Sequence, residues 1–136
     1  MISLDTNVVI SYLNPADSNH GPSLAALQTH AGAGYCICPP VYTELRATPY
    51  WATLSGWLTS SGTRTVWPMP EAVWALAGTR FLSYSSLRRG GTVPRRIAAD
   101  FLIAAHAEHH GLSVMSFDRT VYGSVFTGVT LIDPAS

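Results

Sequence analysis

Short apolar runs and helix-forming stretches alternate along the whole of this chain, and that alternation narrows its fold more than any other feature. The runs fall at residues 1–4, 35–38, 64–67, 112–117 and 130–132. Between them the spacing of apolar residues predicts helices at 8–13, 22–30, 39–47, 49–59, 70–87 and 98–110, with a short turn or helix at 122–126. Strands this short and apolar, separated by helices, belong to a parallel sheet covered on both faces. The expectation is therefore an α/β protein, a three-layer α/β/α sandwich around a mainly parallel sheet. No repeat, linker or low-complexity segment divides residues 1–136, which read as one domain.

Local signals support those boundaries. Thr6 or Asn7 can cap the first helix, and Asn14-Pro15 closes it. Pro39-Pro40 opens the third helix, where proline suits the first turn. Gly111 ends the helix at 98–110, whose last turns carry His106, His109 and His110 beside the negative end of the helix dipole. His106 and His110 stand four apart, yet HAEHH places its glutamate at the wrong offset for a zinc-binding HExxH. A helix-end role is the expectation.

In a sheet of this kind ligands bind outside the carboxyl ends of the strands. Asp5 follows the first strand and Asp118 the fourth, so two acids far apart in sequence share one rim. Glu44 lies within the third helix, and Asp100 sits early in an otherwise apolar helix. Each acid alone has an ordinary explanation as a cap or a solvated side chain. Three or four together repel one another and must protonate or gather a cation. A hard divalent ion wants oxygen ligands, and Mg²⁺ in particular takes few carboxylates, keeps waters and meets phosphate oxygens.

Composition sets limits. At 47% hydrophobic and 12% charged the chain is globular. No apolar run reaches the roughly 18–20 residues that span a bilayer. The start, MISLDTN, has no basic region before an apolar core, so no secretory signal is read and a cytoplasmic setting is expected. Cys36 and Cys38 lie two apart on a strand, on one face, and indicate no disulfide framework.

The net charge of zero conceals an uneven layout. Residues 1–44 carry −3, residues 45–99 carry +6 and residues 100–136 carry −3, and every basic residue is arginine. Arg80, Arg88, Arg89, Arg95 and Arg96 fall in a stretch without an acid from 72 to 99. Arginines so placed can hold phosphates in a salt-dependent, sequence-independent way, or simply form a solvated helix end and loop. Trp67, Phe81 and Tyr84 could stack bases, but their spacing suits a core. Trp51, Trp57, Trp67 and Trp74 are read as core and dimer-surface residues.

LDTNVVISYL at 4–13, VYTELRA at 41–47, RRIAADFLIAAHAEHHGL at 95–112 and VMSFDRTVY at 114–122 resemble the four blocks of PIN-domain ribonucleases, most closely the VapC toxins of bacterial toxin–antitoxin pairs. The resemblance runs through the whole chain in order, and the blocks at 4–7 and 100–118 are its most specific parts. It implies a catalytic set of Asp5, Glu44, Asp100 and Asp118, with Asp5 and Asp100 most firmly tied to Mg²⁺, or Mn²⁺ in its place. It implies RNA as substrate, with Asn7 and Ser116 beside the acids as candidates for contact with it; the charge layout adds Arg88, Arg89, Arg95 and Arg96 as candidates for substrate binding. Ser116 stands where the family more often has threonine, which leaves the hydroxyl in place. The likeness further implies a homodimer and a VapB-like antitoxin, whose helix could lie in a groove formed by residues 39–59 and whose arginine-bearing tail could enter the acidic pocket.

Two other classes fit the same fold. A phosphotransfer domain with an aspartate nucleophile after the first strand would need a second acid at position 7, which is Asn7. A non-catalytic PIN-like module that binds RNA or protein would need no acids, and all four are present.

Overall fold

The computed structural model of the chain describes residues 1–91 and 98–136, so Arg95 and Arg96 lie outside the described residues. The strands are β1 (Ile2–Leu4), β2 (Tyr35–Ile37), β3 (Arg64–Thr65), β4 (Ser113–Met115) and β5 (Leu131–Ile132). Among the described residues they form one sheet in the order β3-β2-β1-β4-β5, with every neighbouring pair parallel. Strand β1 is central, and Ile2, Ser3 and Leu4 are all buried, as a strand covered on both faces requires.

The helices are α1 (Thr6–Leu13), α2 (His20–Thr29), α3 (Pro39–Arg46), α4 (Trp51–Ser60), α5 (Glu71–Arg89), α6 (Ala98–His110) and α7 (Thr120–Ser124), with a 3-10 turn at Ala31–Ala33. Two apolar clusters divide them into layers. One gathers Val8 and Val9 of α1, Leu27 of α2, Val41 and Leu45 of α3, and Leu54 and Leu58 of α4 against Ile2, Leu4, Ile37 and Met115 of the sheet. The other gathers Val73, Ala77 and Tyr84 of α5, Phe101, Ala104 and Ala105 of α6, and Val121 and Tyr122 of α7 against Val114. Alternation along β4 places Val114 and Met115 on opposite faces, so one strand serves both cores. The result is the expected α/β/α sandwich.

Several boundaries differ from the sequence reading, each for a local reason. Asp5, not Thr6 or Asn7, caps α1: its backbone is extended and its carboxylate accepts the Thr6 N–H. Strand β2 stops at Ile37, so Cys38 is the cap residue of α3 rather than a strand partner of Cys36, and both thiols are free and buried. Helix α5 runs on through Arg88 and Arg89 before Gly90-Gly91 closes it, so these arginines stand on a helix rather than in a loop. Strand β3 is only two residues long, because the chain after it is drawn onto α6: His106 Nε2 meets the Val66 carbonyl and His110 Nε2 the Pro68 carbonyl, each at 2.8 Å. That excursion leaves Trp67 and Trp74 largely exposed and Phe81 partly so, against the expectation that Trp67 and Phe81 belong to the core. Among the described residues no helix is long and apolar enough to cross a membrane.

Candidate active site

The parallel sheet delivers the ends of β1 and β4 side by side. The Asp5 N–H donates to the Met115 carbonyl at 3.0 Å, which fixes Asp5 at the rim just as the chain turns into α1. Ser116, the next residue after β4, is fully buried, and its hydroxyl donates to Asp5 Oδ2 at 2.7 Å. Ser116 Oγ also accepts the Asp118 N–H at 3.0 Å and an Asn7 Nδ2–H at 3.4 Å. Asn7 Oδ1 in turn receives the Phe117 N–H. One buried hydroxyl thus holds the first acid, the turn that carries the fourth, and the side chain between them. Asp118 is steadied further by the Thr120 N–H on Oδ1 at 2.9 Å.

Asp5, Glu44, Asp100 and Asp118 line one open cavity of about 360 Å³, with Thr6, Asn7, Ile10, Ser11, Asp17 and Asn19 as its other walls. Four acids from four separate segments therefore meet at one edge of the sheet. Asp17 and Asn19 were not read as site residues from the sequence. They belong to the turn between α1 and α2, where Asp17 Oδ1 accepts the Asn19 N–H at 2.8 Å, and a turn of this kind carries no sequence sign of where it will fold back. Tyr122 is a third residue without a place in the sequence reading. It is buried, and burial first, then the charges of Asp5, Cys38, Asp118 and Asp100, raise its hydroxyl far above the ordinary phenol range.

The charges at the site are strained. Burial raises the Asp5 carboxyl above its ordinary value, and the charge of Asp118 adds to this, while the donors Ser116 and Thr6 oppose it. Glu44 is exposed at the cavity wall, yet partial desolvation and the charge of Asp5 raise it too, against the nearby Thr6 hydroxyl. That hydroxyl is buried without a partner at hydrogen-bond distance. Cys38, beside Asp5, is pushed up to about 12 chiefly by burial, and at neutral pH it is a thiol. The protein gives Asp5 two hydrogen-bond donors and, among the described residues, no cation.

Other sequence candidates lie elsewhere. Ser116 has no surface for a substrate to touch, so its expected place among the substrate-binding residues gives way to a positioning one. Asn7 is exposed at the cavity and can touch a ligand. Arg88 and Arg89 are exposed at the end of α5 and do not line the cavity. Arg80 is committed within the fold, to Glu108 at 3.2 Å and to the Val125 carbonyl. A larger cavity, about 610 Å³, opens at the other end of the strands beside Met1, Tyr12, Leu27, Tyr35 and Trp57, and no acid lines it.

The PIN domain family profile matches residues 2–122. The chain belongs to that family. No curated protein matches it in sequence. Among solved structures, this PIN domain is similar to a chain of FitAB bound to an IR36 DNA fragment, with a TM-score of 0.72 and 21% identity over 100% of this chain and 96% of that one. It is also similar to a chain of DNA-bound VapBC from Salmonella typhimurium (TM-score 0.65, 18% identity, 98% and 99% covered). A third is a toxin–antitoxin complex from Klebsiella pneumoniae (TM-score 0.62, 14% identity, 98% of each chain). At these identities the likeness is one of fold.

The donor set suits a hard cation. It consists of carboxylate oxygens, and the carboxyls of Asp5 and Glu44 are raised first by burial and then by the charge of a neighbouring acid, both of which a bound cation would offset. Among the described residues no three of the His, Cys, Asp and Glu side chains stand close enough to make a metal cage. An ion that takes one or two carboxylates and keeps its waters does not require such a cage.

Proposed function

We propose that this PIN domain is a metal-dependent endoribonuclease, the toxin of a VapBC-type toxin–antitoxin pair acting in the cytoplasm as a homodimer. The observation that carries the reading is the convergence of Asp5, Glu44, Asp100 and Asp118 on one cavity from four segments of the chain. The family and the assemblies in which its structural neighbours occur support the choice of partner.

In this reading Asp5 and Asp100 hold Mg²⁺, or Mn²⁺, which when bound supplies an acidified water and charge neutralisation at the phosphate. The chain's own residues do the rest. Ser116 and the Thr6 N–H fix the direction in which Asp5 presents its oxygens. Glu44 or Asp118 orients the attacking water and takes its proton as the new P–O bond forms in line with the one that breaks. A raised carboxyl at Glu44 suits that exchange, because a base nearer the working pH transfers protons more readily. Asn7 at the cavity mouth, and Arg88 and Arg89 with Arg95 and Arg96, contact the RNA backbone. An antitoxin helix would lie in the apolar groove between α1 and α4, lined by Ile10, Leu13, Tyr50 and Leu54.

The test is cleavage of total RNA by the purified chain with Mg²⁺ and with chelator. Cleavage only with the ion is expected, and Asp100→Ala should lower it at least about a hundredfold without changing the circular dichroism spectrum. Full activity in that variant, or cleavage in chelator, overturns the proposal. RNA that is bound and left intact would make the protein a binding module.

A further inference from the structure

Asp17 and Asn19 stand on the wall of the acid cavity and take no part in the chemistry derived above. Both are half-buried, and the turn between α1 and α2 holds them stiffly. The Asp17 N–H donates to the Asn14 carbonyl and the His20 N–H to the Asp17 carbonyl, each at 3.0 Å. The Asn19 N–H donates to Asp17 Oδ1 at 2.8 Å. Among the described residues Asp17 Oδ2 meets neither a donor nor a cation.

Asn19 supplies an independent sign. It is the cap residue before α2, where an asparagine side chain ordinarily accepts a first-turn N–H. Its amide makes no such bond and has no other partner among the described residues. A half-buried amide without a partner calls for an explanation, and this one lines the cavity.

A fifth carboxylate on that wall is unsuited to phosphate, which it repels. It can only accept hydrogen bonds, and Oδ1 keeps a lone pair after its bond to Asn19. Single-stranded RNA offers donors at its 2′-hydroxyls and on the open Watson–Crick edges of its bases. Guanine alone presents two adjacent N–H donors on that edge, N2–H and N1–H, followed by the O6 acceptor. Adenine and cytosine set a donor beside an acceptor, and uracil sets one donor between two acceptors. The two oxygens of Asp17 and an N–H of the Asn19 amide complement the guanine order, and the bond between the two residues keeps them in register.

We propose that Asp17 and Asn19 read a guanine adjoining the scissile phosphate, Asp17 accepting from N1–H and N2–H and Asn19 donating to O6. This rests on the nuclease reading above and gives it a base specificity. Short single-stranded RNAs that differ at one nucleotide test it, cut by the full chain with Mg²⁺ and compared by kcat/KM. Guanine at one fixed step from the cut should be preferred over the other three bases at least about a hundredfold, because a site built on hydrogen bonds rejects a base that leaves them unmade. Inosine, which lacks only the N2 amino group, should be cut about tenfold more slowly than guanine. Replacement by 7-deazaguanine, which keeps all three groups, should change nothing. Asp17→Asn retains an oxygen for the Asn19 N–H and should bring guanine within about tenfold of adenine. Asn19→Ala should reduce the preference about tenfold without lowering the thermal midpoint, since no cap is lost. A merely structural role would lower cleavage of every RNA alike and leave the ratio between bases unchanged. Cleavage indifferent to the base overturns the specificity alone, and an unchanged ratio in Asp17→Asn overturns its assignment to this turn. RNA left uncut with Mg²⁺ overturns the nuclease reading and the specificity with it.

Discussion

The acids of the site could be read from the sequence because each stands where an apolar pattern stops or is interrupted: Asp5 and Asp118 past strand ends, Glu44 and Asp100 on helices. What could not be read is what holds them. Ser116 looked like one more polar residue beside the acids, and only folding shows its hydroxyl donating to Asp5 while receiving the Asp118 N–H. Removing it leaves a partly buried carboxylate one donor short, a loss of about 1–3 kcal/mol for a charged group. Ser116→Ala should therefore lower the urea midpoint and raise the Asp5 carboxyl further. RNA cleavage should fall with it and recover in part at higher Mg²⁺, because a misdirected ligand binds the ion more weakly without being lost. Ser116→Thr keeps the hydroxyl and should keep activity. Cleavage by the alanine variant equal to wild type at every Mg²⁺ concentration would show that Asp5 is oriented without this bond. Asp17 and Tyr122 had no comparable sign in the sequence. The first reads as a turn residue and reaches the cavity only through the path of the chain; the second stays buried and does not line the cavity.

At the scale of elements, type and order were legible and the ends were not. The end of the helix at His110 agrees to the residue with the sequence reading, since Gly111, with its positive φ, stops it. The strand after it was read too long, because burial on both faces looks the same in sequence whether or not the backbone is paired. The sequence places the histidines at the end of α6 as helix-end charges; in the structure His106 and His110 form a clasp. His106 is fully buried, and its Nε2 holds the Val66 carbonyl, so β3 and the stretch leading to α5 are tied to α6. Burial first, then the neighbouring His110 and His109, lower the His106 pKa below its ordinary 6.5, while the Val66 carbonyl opposes them. The unfolded chain then binds more protons than the folded one just below pH 6.5, so stability is complete above that pH and declines as pH falls through the window beneath it. The thermal midpoint should drop on acidification from about pH 7 to pH 5.5. His106→Gln, which can still donate to Val66, should flatten that drop. A variant with the same pH profile as wild type would assign the acid sensitivity to other groups.

For the whole molecule, the parallel topology explains why a stable fold and a strained site coexist. Placing β1 between β2 and β4 buries the strand fully and sets Asp5 at the rim, next to the turn from β4. The fold could be inferred from alternation alone, but the strain depends on how near the acids come, which no pattern in the chain encodes. Its consequence can be measured on the intact protein. The Asp5 carboxyl is raised, so the ion-free protein loses stability as pH rises through that raised value. A cation that binds only the folded state should recover it, by about 2.7 kcal/mol at a hundred times its dissociation constant. Mg²⁺ should therefore raise the thermal midpoint by several degrees at pH 7.5 and by much less near pH 4, where protons occupy the same oxygens. Asp5→Asn removes the charge at its source. That variant should melt higher than ion-free wild type at pH 7.5 and should no longer respond to Mg²⁺. A response as large as that of wild type would place the ion away from Asp5, and the four-acid cavity would then need another purpose.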